Sequence, residues 1–209
     1  MEHFRVTKHH PGFNDDYDIA WAFLSAAAGR GETLADALPS PEMWRDALSH
    51  FAGIDIAGWV QESSGPRVDR EAVRELCEEL YFGEEELLRI RGRTPRHAPG
   101  ARGYWRDEAP MLKRHWSTLP LPSGIYTGRP DSELVLALRT LHWEGLPGER
   151  TVTADSGVFK PSPEGFRILG NVLGGSHPLY FGDAASDRAA LAAFGKGTFV
   201  AVGDILTDA

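Results

Sequence analysis

The second half of the chain alternates short apolar runs with segments of about ten helix-forming residues. No other feature of the sequence narrows the fold as much. "GIYTG" (124–128) is an apolar run ending in a turn, and residues 131 to 143 set Leu134, Leu138 and Leu141 on one helical face. "RTVTA" (150–154) has the β-branched content of a strand, and Pro163 to Leu173 reads as a helix. "PLYFGD" (178–183) reads as a buried strand, the helix "AASDRAALAAF" follows it, and "TFVAV" (198–202) reads as a last strand. Strands separated by helices pair in parallel, because each helix carries the chain back across the sheet. The pattern therefore predicts an α/β fold with a doubly wound parallel sheet and flanking helices. Ligands of such sheets bind beyond the carboxyl ends of the strands, so the polar residues that follow each strand are the first candidates for function.

The first half reads as helical. "DIAWAFLSAAA" (18–28) is rich in helix formers; Asn14, Asp15 and Asp16 before it are capping residues, and Gly29 is a stop. Pro41 to Phe51 predicts a second helix, with Gly53 just beyond it. Asp69 to Tyr81 predicts a third, with Val73, Leu76, Cys77 and Leu80 forming an apolar stripe. Residues 89 to 110, "RIRGRTPRHAPGARGYWRDEAP", break the periodicity and read as a solvated linker, although their arginines are also of a kind that lines anion sites. The chain thus divides into a mainly helical region, 1–106, and an α/β region, 107–209.

Charge excludes some partners. The formal net charge is -8, which repels nucleic acid and anionic membrane surfaces. No apolar run approaches the roughly 20 residues of a membrane helix, and "MEHFRVTKHH" lacks a signal-peptide core, so a cytoplasmic protein is expected. The single Cys77 leaves no internal disulfide, and the histidines lack ligand spacing with it, which argues against zinc. A nucleotide-cofactor oxidoreductase is set aside for want of a G-x-G-x-x-G turn.

Three strand ends carry chemistry. Thr127-Gly128-Arg129 offers a hydroxyl and exposed N–H groups in a tight turn, which suits an anion and equally suits an ordinary turn. Lys160 sits in "SGVFKPSPEGF", where Pro161 and Pro163 restrict the backbone and a fixed positive charge faces either a phosphate or solvent. Asp183 ends a strand and Asp187 lies four residues on; G-D-x-x-x-D suits Mg²⁺, although an Asp after a strand also caps helices.

Taken together and in this order, Thr127-Gly128-Arg129, Lys160-Pro161 and "GDAASD" resemble the second, third and fourth motifs of the haloacid dehalogenase (HAD) superfamily, over residues 120 to 205. "GFNDDYDIAWAFL" is similar, more weakly, to the start of a helical cap in one phosphatase-like subgroup. The resemblance implies a Rossmann-like core under an α-helical cap and a Mg²⁺-dependent phosphohydrolase acting on a small phosphorylated metabolite. It implies that Thr127, with Gly128 and Arg129, holds phosphoryl oxygens and that Lys160 neutralises charge. It further implies that Asp183 binds Mg²⁺, with Asp187 bound to the metal or orienting its shell.

One motif of the resemblance is missing. Family members open with an apolar strand ending in D-x-D, whose first Asp is the nucleophile and whose second is the acid and base. Asp16-Tyr-Asp18 has that spacing, but "RVTKHHPGFND" before it is poor material for a buried strand and the sequence after it is helical. The segment reads as a helix cap. Asp55 has no partner two residues on, and Asp204 and Asp208 come too late in the chain. The expectation is therefore a core whose central first strand is absent, between the strands ending at Thr127 and Asp183. Three explanations compete: the chain is an N-terminally shortened phosphatase, weak or inactive as it stands; another chain or a rearranged N-terminus fills the slot of an assembled or catalytically degenerate module; or the sheet closes without the strand and the protein is a phosphate-binding or protein-interaction module. An unfilled slot exposes strand edges, which makes homo-oligomer contact an additional expectation.

Overall fold

The computed structural model describes residues 2–13, 15–28, 30, 37–53, 55–64, 68–203 and 206. Asn14, Gly29, Asp204 and Asp208 lie outside them. The molecule is mixed α/β, with a helical first half and short parallel strands in the second.

The first half contains α1 (Glu2–Lys8), α2 (Asp16–Ala27), α3 (Pro41–Ser49), α4 (Ile56–Ser64) and α5 (Arg70–Arg91). Side-chain caps begin three of them: Asp15 accepts from the Tyr17 N–H at 2.9 Å, Ser40 from Met43 at 3.3 Å and Asp69 from Ala72 at 2.7 Å. The cap reading of "FNDDYDIAW" thus holds at Asp15. Helices α1 and α4 do not stand out in the sequence. They have seven and nine residues, too short to be stable alone, and depend on packing. Val6, Ile56 and Val60 supply it, joining Phe13, Ile19, Trp21, Trp44 and Leu48 in one buried cluster. The Trp44 indole donates to the buried Thr7 hydroxyl at 2.8 Å within that cluster.

Helix α5 runs ten residues past the predicted end, through a break at Gly83 (φ 70°, ψ 171°). The break lets another stretch of chain cross the helix. A Cβ on Gly83 would stand 2.5 Å from the Arg102 carbonyl carbon, and one on Gly103 would stand 2.4 Å from the Phe82 oxygen. The Arg-rich stretch is therefore not a solvated linker. Glu79, fully buried, accepts from Arg93 Nη1 at 2.8 Å and from the backbone N–H groups of Arg96, His97 and Ala98 at 2.8, 2.6 and 2.9 Å. Arg91 pairs with Glu78 at 2.9 Å, Arg106 with Glu85 at 2.9 Å, and Arg102 with Asp107. The acidic side chains of α5 hold the basic segment against the helix.

The second half contains β1 (Ile125–Tyr126), α6 (Asp131–Leu141), β2 (Thr151–Val152), α7 (Glu164–Leu173), β3 (Leu179–Gly182), α8 (Ala185–Phe194) and β4 (Thr198–Ala201). The strands form two separate parallel ladders rather than one sheet. β1 pairs with β2, placing Tyr126 opposite Val152; β3 pairs with β4, placing Tyr180 opposite Phe199. Among the described residues no strand lies between β1 and β3. One shared core spans the interval instead. Phe166 of α7 sets its ring edge-to-face against both Tyr126 (5.5 Å) and Tyr180 (4.8 Å), and the Tyr180 hydroxyl oxygen lies 3.1 Å from the Tyr126 carbonyl. Val152, Leu169, Ala190 and Leu191 complete this core. A third cluster joins Phe82 and Leu87 of α5 to Leu136 of α6, so the two halves are in contact.

Candidate functional site

The carboxyl ends of β1 and β3 open into one cleft of about 360 Å³. Thr127, Gly128, Arg129, Lys160, Asp183 and Asp187 all line it. Three segments separated by up to 60 positions in sequence converge there: the turns after β1 and β3 and the stretch before α7.

Each group has a defined geometry. The Thr127 N–H continues the β1–β2 ladder by donating to Val152 at 2.9 Å, and its Oγ1 accepts from the Arg129 N–H at 3.1 Å. The hydroxyl proton of Thr127 and the N–H of Gly128 have no acceptor among the described residues, so both can donate to a ligand. The Lys160 side chain, 9% exposed, places Nζ 2.6 Å from Asp187 Oδ1. An ammonium has three N–H bonds, so two remain for a ligand. The Lys160–Pro161 bond is cis.

Asp187 is saturated. Its Oδ1 accepts from Lys160 and from the Tyr180 hydroxyl at 2.7 Å; its Oδ2 accepts from the N–H groups of Asp183 at 3.2 Å and Ala184 at 3.1 Å. Burial alone would raise its pKa, but the Lys160 charge and these hydrogen bonds outweigh burial and hold the carboxyl below its usual value. The Tyr126 phenol, buried and near the Asp187 charge, is pushed up to about 12. With every lone pair engaged, Asp187 orients its neighbours. The exposed Asp183 carboxylate has no hydrogen bond or ion pair among the described residues and is open to a cation.

Arg129 lines the cleft, but its guanidinium is committed. It donates to Glu108 at 2.9 Å and to the Tyr81 hydroxyl at 2.9 Å. Holding a phosphate would require it to release Glu108.

The helical half supplies a wall of the cleft that the sequence motifs do not announce. Lys8 pairs with Asp16 at 2.5 Å, Asp15 lies beside them, and the Tyr17 hydroxyl donates to Glu133 of α6. Asp18 is tied to Arg70 at 2.6 Å and does not line the cleft, so the D-x-D pair is split between two environments. Burial raises the pKa of Asp15 and of Glu133, and neighbouring carboxylates add to the rise. The three cations that line the cleft among the described residues, Lys8, Arg129 and Lys160, are each paired with a carboxylate, while Asp183 has no partner among those residues. The electrostatic balance is acidic. It suits an anion only when a second cation comes with it.

Tyr180 and Glu133 are the contributors that motif reading misses. Alternation along "PLYFGD" was the available signal for Tyr180, since it places that residue on the same strand face as Gly182. Among the described residues no group of three or more His, Cys, Asp or Glu side chains is arranged to hold a metal ion by itself. No protein-family model, no curated protein and no solved structure matches the chain.

Proposed function

We propose that the cleft is the phosphate-binding half of a HAD-type, Mg²⁺-dependent phosphohydrolase site, taking a small phosphorylated molecule. The observation that carries this reading is the convergence of the Thr127 hydroxyl, the Gly128 N–H, the half-free Lys160 ammonium and the open Asp183 carboxylate at one cleft mouth. Phosphoryl transfer depends on such positioning and on compensation of negative charge. Thr127 and Gly128 bind non-bridging oxygens, Lys160 adds a positive charge fixed by Asp187, and Asp187 keeps Lys160 aimed into the cleft.

The donor set fits Mg²⁺ held jointly by Asp183 and phosphate oxygens, and does not fit a metal held by protein alone; Mg²⁺ characteristically keeps waters and takes one or two carboxylates with phosphate. When bound, the ion neutralises charge on the phosphoryl oxygens. The acidic balance of the cleft supports the same dependence.

Among the described residues no carboxylate of the cleft stands at the end of a strand between β1 and β3, so the expected behaviour is phosphate binding without efficient turnover. Inorganic phosphate titrated in the presence of Mg²⁺ should bind. The binding should weaken at least about tenfold in Lys160→Met, the loss expected when one charge-assisted hydrogen bond disappears. Hydrolysis of p-nitrophenyl phosphate should stay near background. Phosphate binding that ignores both Mg²⁺ and Lys160→Met would remove the phosphate-site reading, and robust turnover would remove the inference that the nucleophile is missing.

A further inference from the structure

We propose that the cleft takes a phosphate ligand whose other end carries a primary ammonium group, received by the carboxylates of Asp15 and Glu133. The proposal rests on the phosphate reading of Thr127, Gly128, Lys160 and Asp183, and deepens it by naming the class of ligand.

Charge leads to it. Among the described residues that line the cleft there are six carboxylates and three cations. Three of the carboxylates are neutralised in pairs: Asp16 by Lys8, Glu108 by Arg129 and Asp187 by Lys160. A Mg²⁺ ion shared with phosphate accounts for Asp183. Asp15 and Glu133 remain, and neither the phosphate nor its Mg²⁺ compensates them.

Both have an oxygen to offer. Glu133 Oε1 accepts from the Tyr17 hydroxyl, and its Oε2 has no donor among the described residues. Arg129 acts on Glu133 only through space, because its guanidinium is bound to Glu108 and Tyr81. Asp15 Oδ1 accepts from the Tyr17 N–H at 2.9 Å, whereas Oδ2 has only Arg74 Nη1 at 3.8 Å, beyond hydrogen-bond distance. One carboxylate thus holds Tyr17 by its N–H and the other by its hydroxyl. Burial makes each charge costly and neighbouring carboxylates add repulsion, so both carboxyls sit above their ordinary pKa. A cation beside them relieves both.

The surroundings select an ammonium over a metal ion. Among the described residues no third His, Cys, Asp or Glu joins the two to make a metal group. Tyr17 and Tyr81 line the same cleft, and aromatic faces attract ammonium groups. The chain's own Arg74 shows what this corner draws: its guanidinium lies 5.2 Å from the centre of the Tyr17 ring while reaching toward Asp15. Arg74 does not line the cleft, whereas Tyr17 and Asp15 do, so the cleft side of the pair stays open to a second cation. A volume of about 360 Å³ is in the range of small-molecule sites and has room for both ends of a short phosphorylated amine.

The test titrates the full chain, with Mg²⁺ present, by isothermal calorimetry. The probes are three matched pairs: 2-aminoethyl- and propylphosphonate, 3-aminopropyl- and butylphosphonate, and 4-aminobutyl- and pentylphosphonate. Members of a pair have equal length and differ only in ammonium for methyl. In at least one pair the amine should bind about tenfold or more tightly, the gain expected of a charge-assisted hydrogen bond. Glu133→Gln keeps an acceptor for Tyr17 and removes the charge. It should weaken that amine about fivefold or more and tighten its alkyl partner, opposite shifts that damage to the fold does not produce. Asp15→Asn retains a helix-capping side chain and should move the two ligands in the same opposite directions. Inorganic phosphate reports on the phosphate end alone. Phosphate binding with no preference in any pair would overturn the ammonium proposal and leave the phosphate reading standing. A preference unchanged in both variants would overturn it too, by placing the ammonium elsewhere. Failure of phosphate and of all six phosphonates to bind would remove the phosphate reading, and this proposal with it.

Discussion

Replacing Asp187 by Ala tests the geometry of the cleft most severely. The substitution removes four hydrogen bonds at once: from Lys160 Nζ (2.6 Å), the Tyr180 hydroxyl (2.7 Å) and the N–H groups of Asp183 and Ala184 (3.2 and 3.1 Å). It leaves a lysine side chain only 9% exposed without its counter-charge. Breaking one side of a buried ion pair costs about 3–5 kcal/mol, and losing a helix-capping acceptor adds about 1 kcal/mol. A loss of about 4 kcal/mol is a large part of the 5–15 kcal/mol that holds a typical domain together. Urea unfolding followed by circular dichroism measures it, with the slope checked for constancy. Lys160→Met in the same background removes the stranded charge. The double variant should therefore be less destabilised than the two single losses summed, with a coupling of about 2 kcal/mol or more. Acid behaviour supplies a second check. The folded-state carboxyl of Asp187 lies below its unfolded value, so its stabilisation is present above the ordinary aspartate range and fades as pH falls through the lowered folded value. Asp187→Asn should flatten that part of the acid limb. A cost under about 1 kcal/mol for Asp187→Ala, or an additive cycle, would refute the buried-pair reasoning.

Other consequences are equally measurable. Glu79 has its pKa drawn down to about 2, because its four hydrogen bonds outweigh burial. Its stabilisation should be complete above pH 4.5 and lost as pH falls toward 2, and Glu79→Gln should remove that dependence and expose the 93–106 stretch to trypsin. Gly83→Ala combines a positive φ with a Cβ 2.5 Å from the Arg102 backbone, and should lower stability by about 2 kcal/mol or more in urea titrations. Tyr17→Phe removes the hydroxyl donor to the half-buried Glu133 and should destabilise by about 1 kcal/mol, with unchanged helical content by circular dichroism.

What could be read from the sequence followed from local chemistry. The four strands and the helices between them were legible because alternation and turn residues mark them, and the six candidate site residues converge because each follows a strand or opens a helix. The Arg-rich stretch was misread for a physical reason: its partners, Glu75, Glu78, Glu79 and Glu85, sit on α5 up to 22 positions away, and composition carries no record of pairing at that distance. Helices α1 and α4 were invisible because packing rather than propensity sustains them. The role of Asp15 as a cap was legible, yet the same local reading could not reveal that Lys8, Asp16 and Tyr17 reach the cleft. That depends on how α2 lies against α6, a tertiary contact made visible by the Tyr17–Glu133 bond. Separation of β1 from β3 follows from a missing motif, but the Tyr180 side chain, whose hydroxyl donates to Asp187 beside the Tyr126 carbonyl, has no counterpart in the motif pattern.

The central claim is that Thr127, Gly128, Lys160 and Asp183 form one Mg²⁺-assisted phosphate site. Crystals soaked in tungstate, a heavy phosphate analogue, with Mg²⁺ test it most directly through the anomalous signal. The account predicts a tungstate within hydrogen-bond distance of the Thr127 hydroxyl, the Gly128 N–H and Lys160 Nζ, and loss of that peak in Asp183→Asn. A strong peak at the arginines of residues 89 to 110, with the cleft left empty, would contradict it.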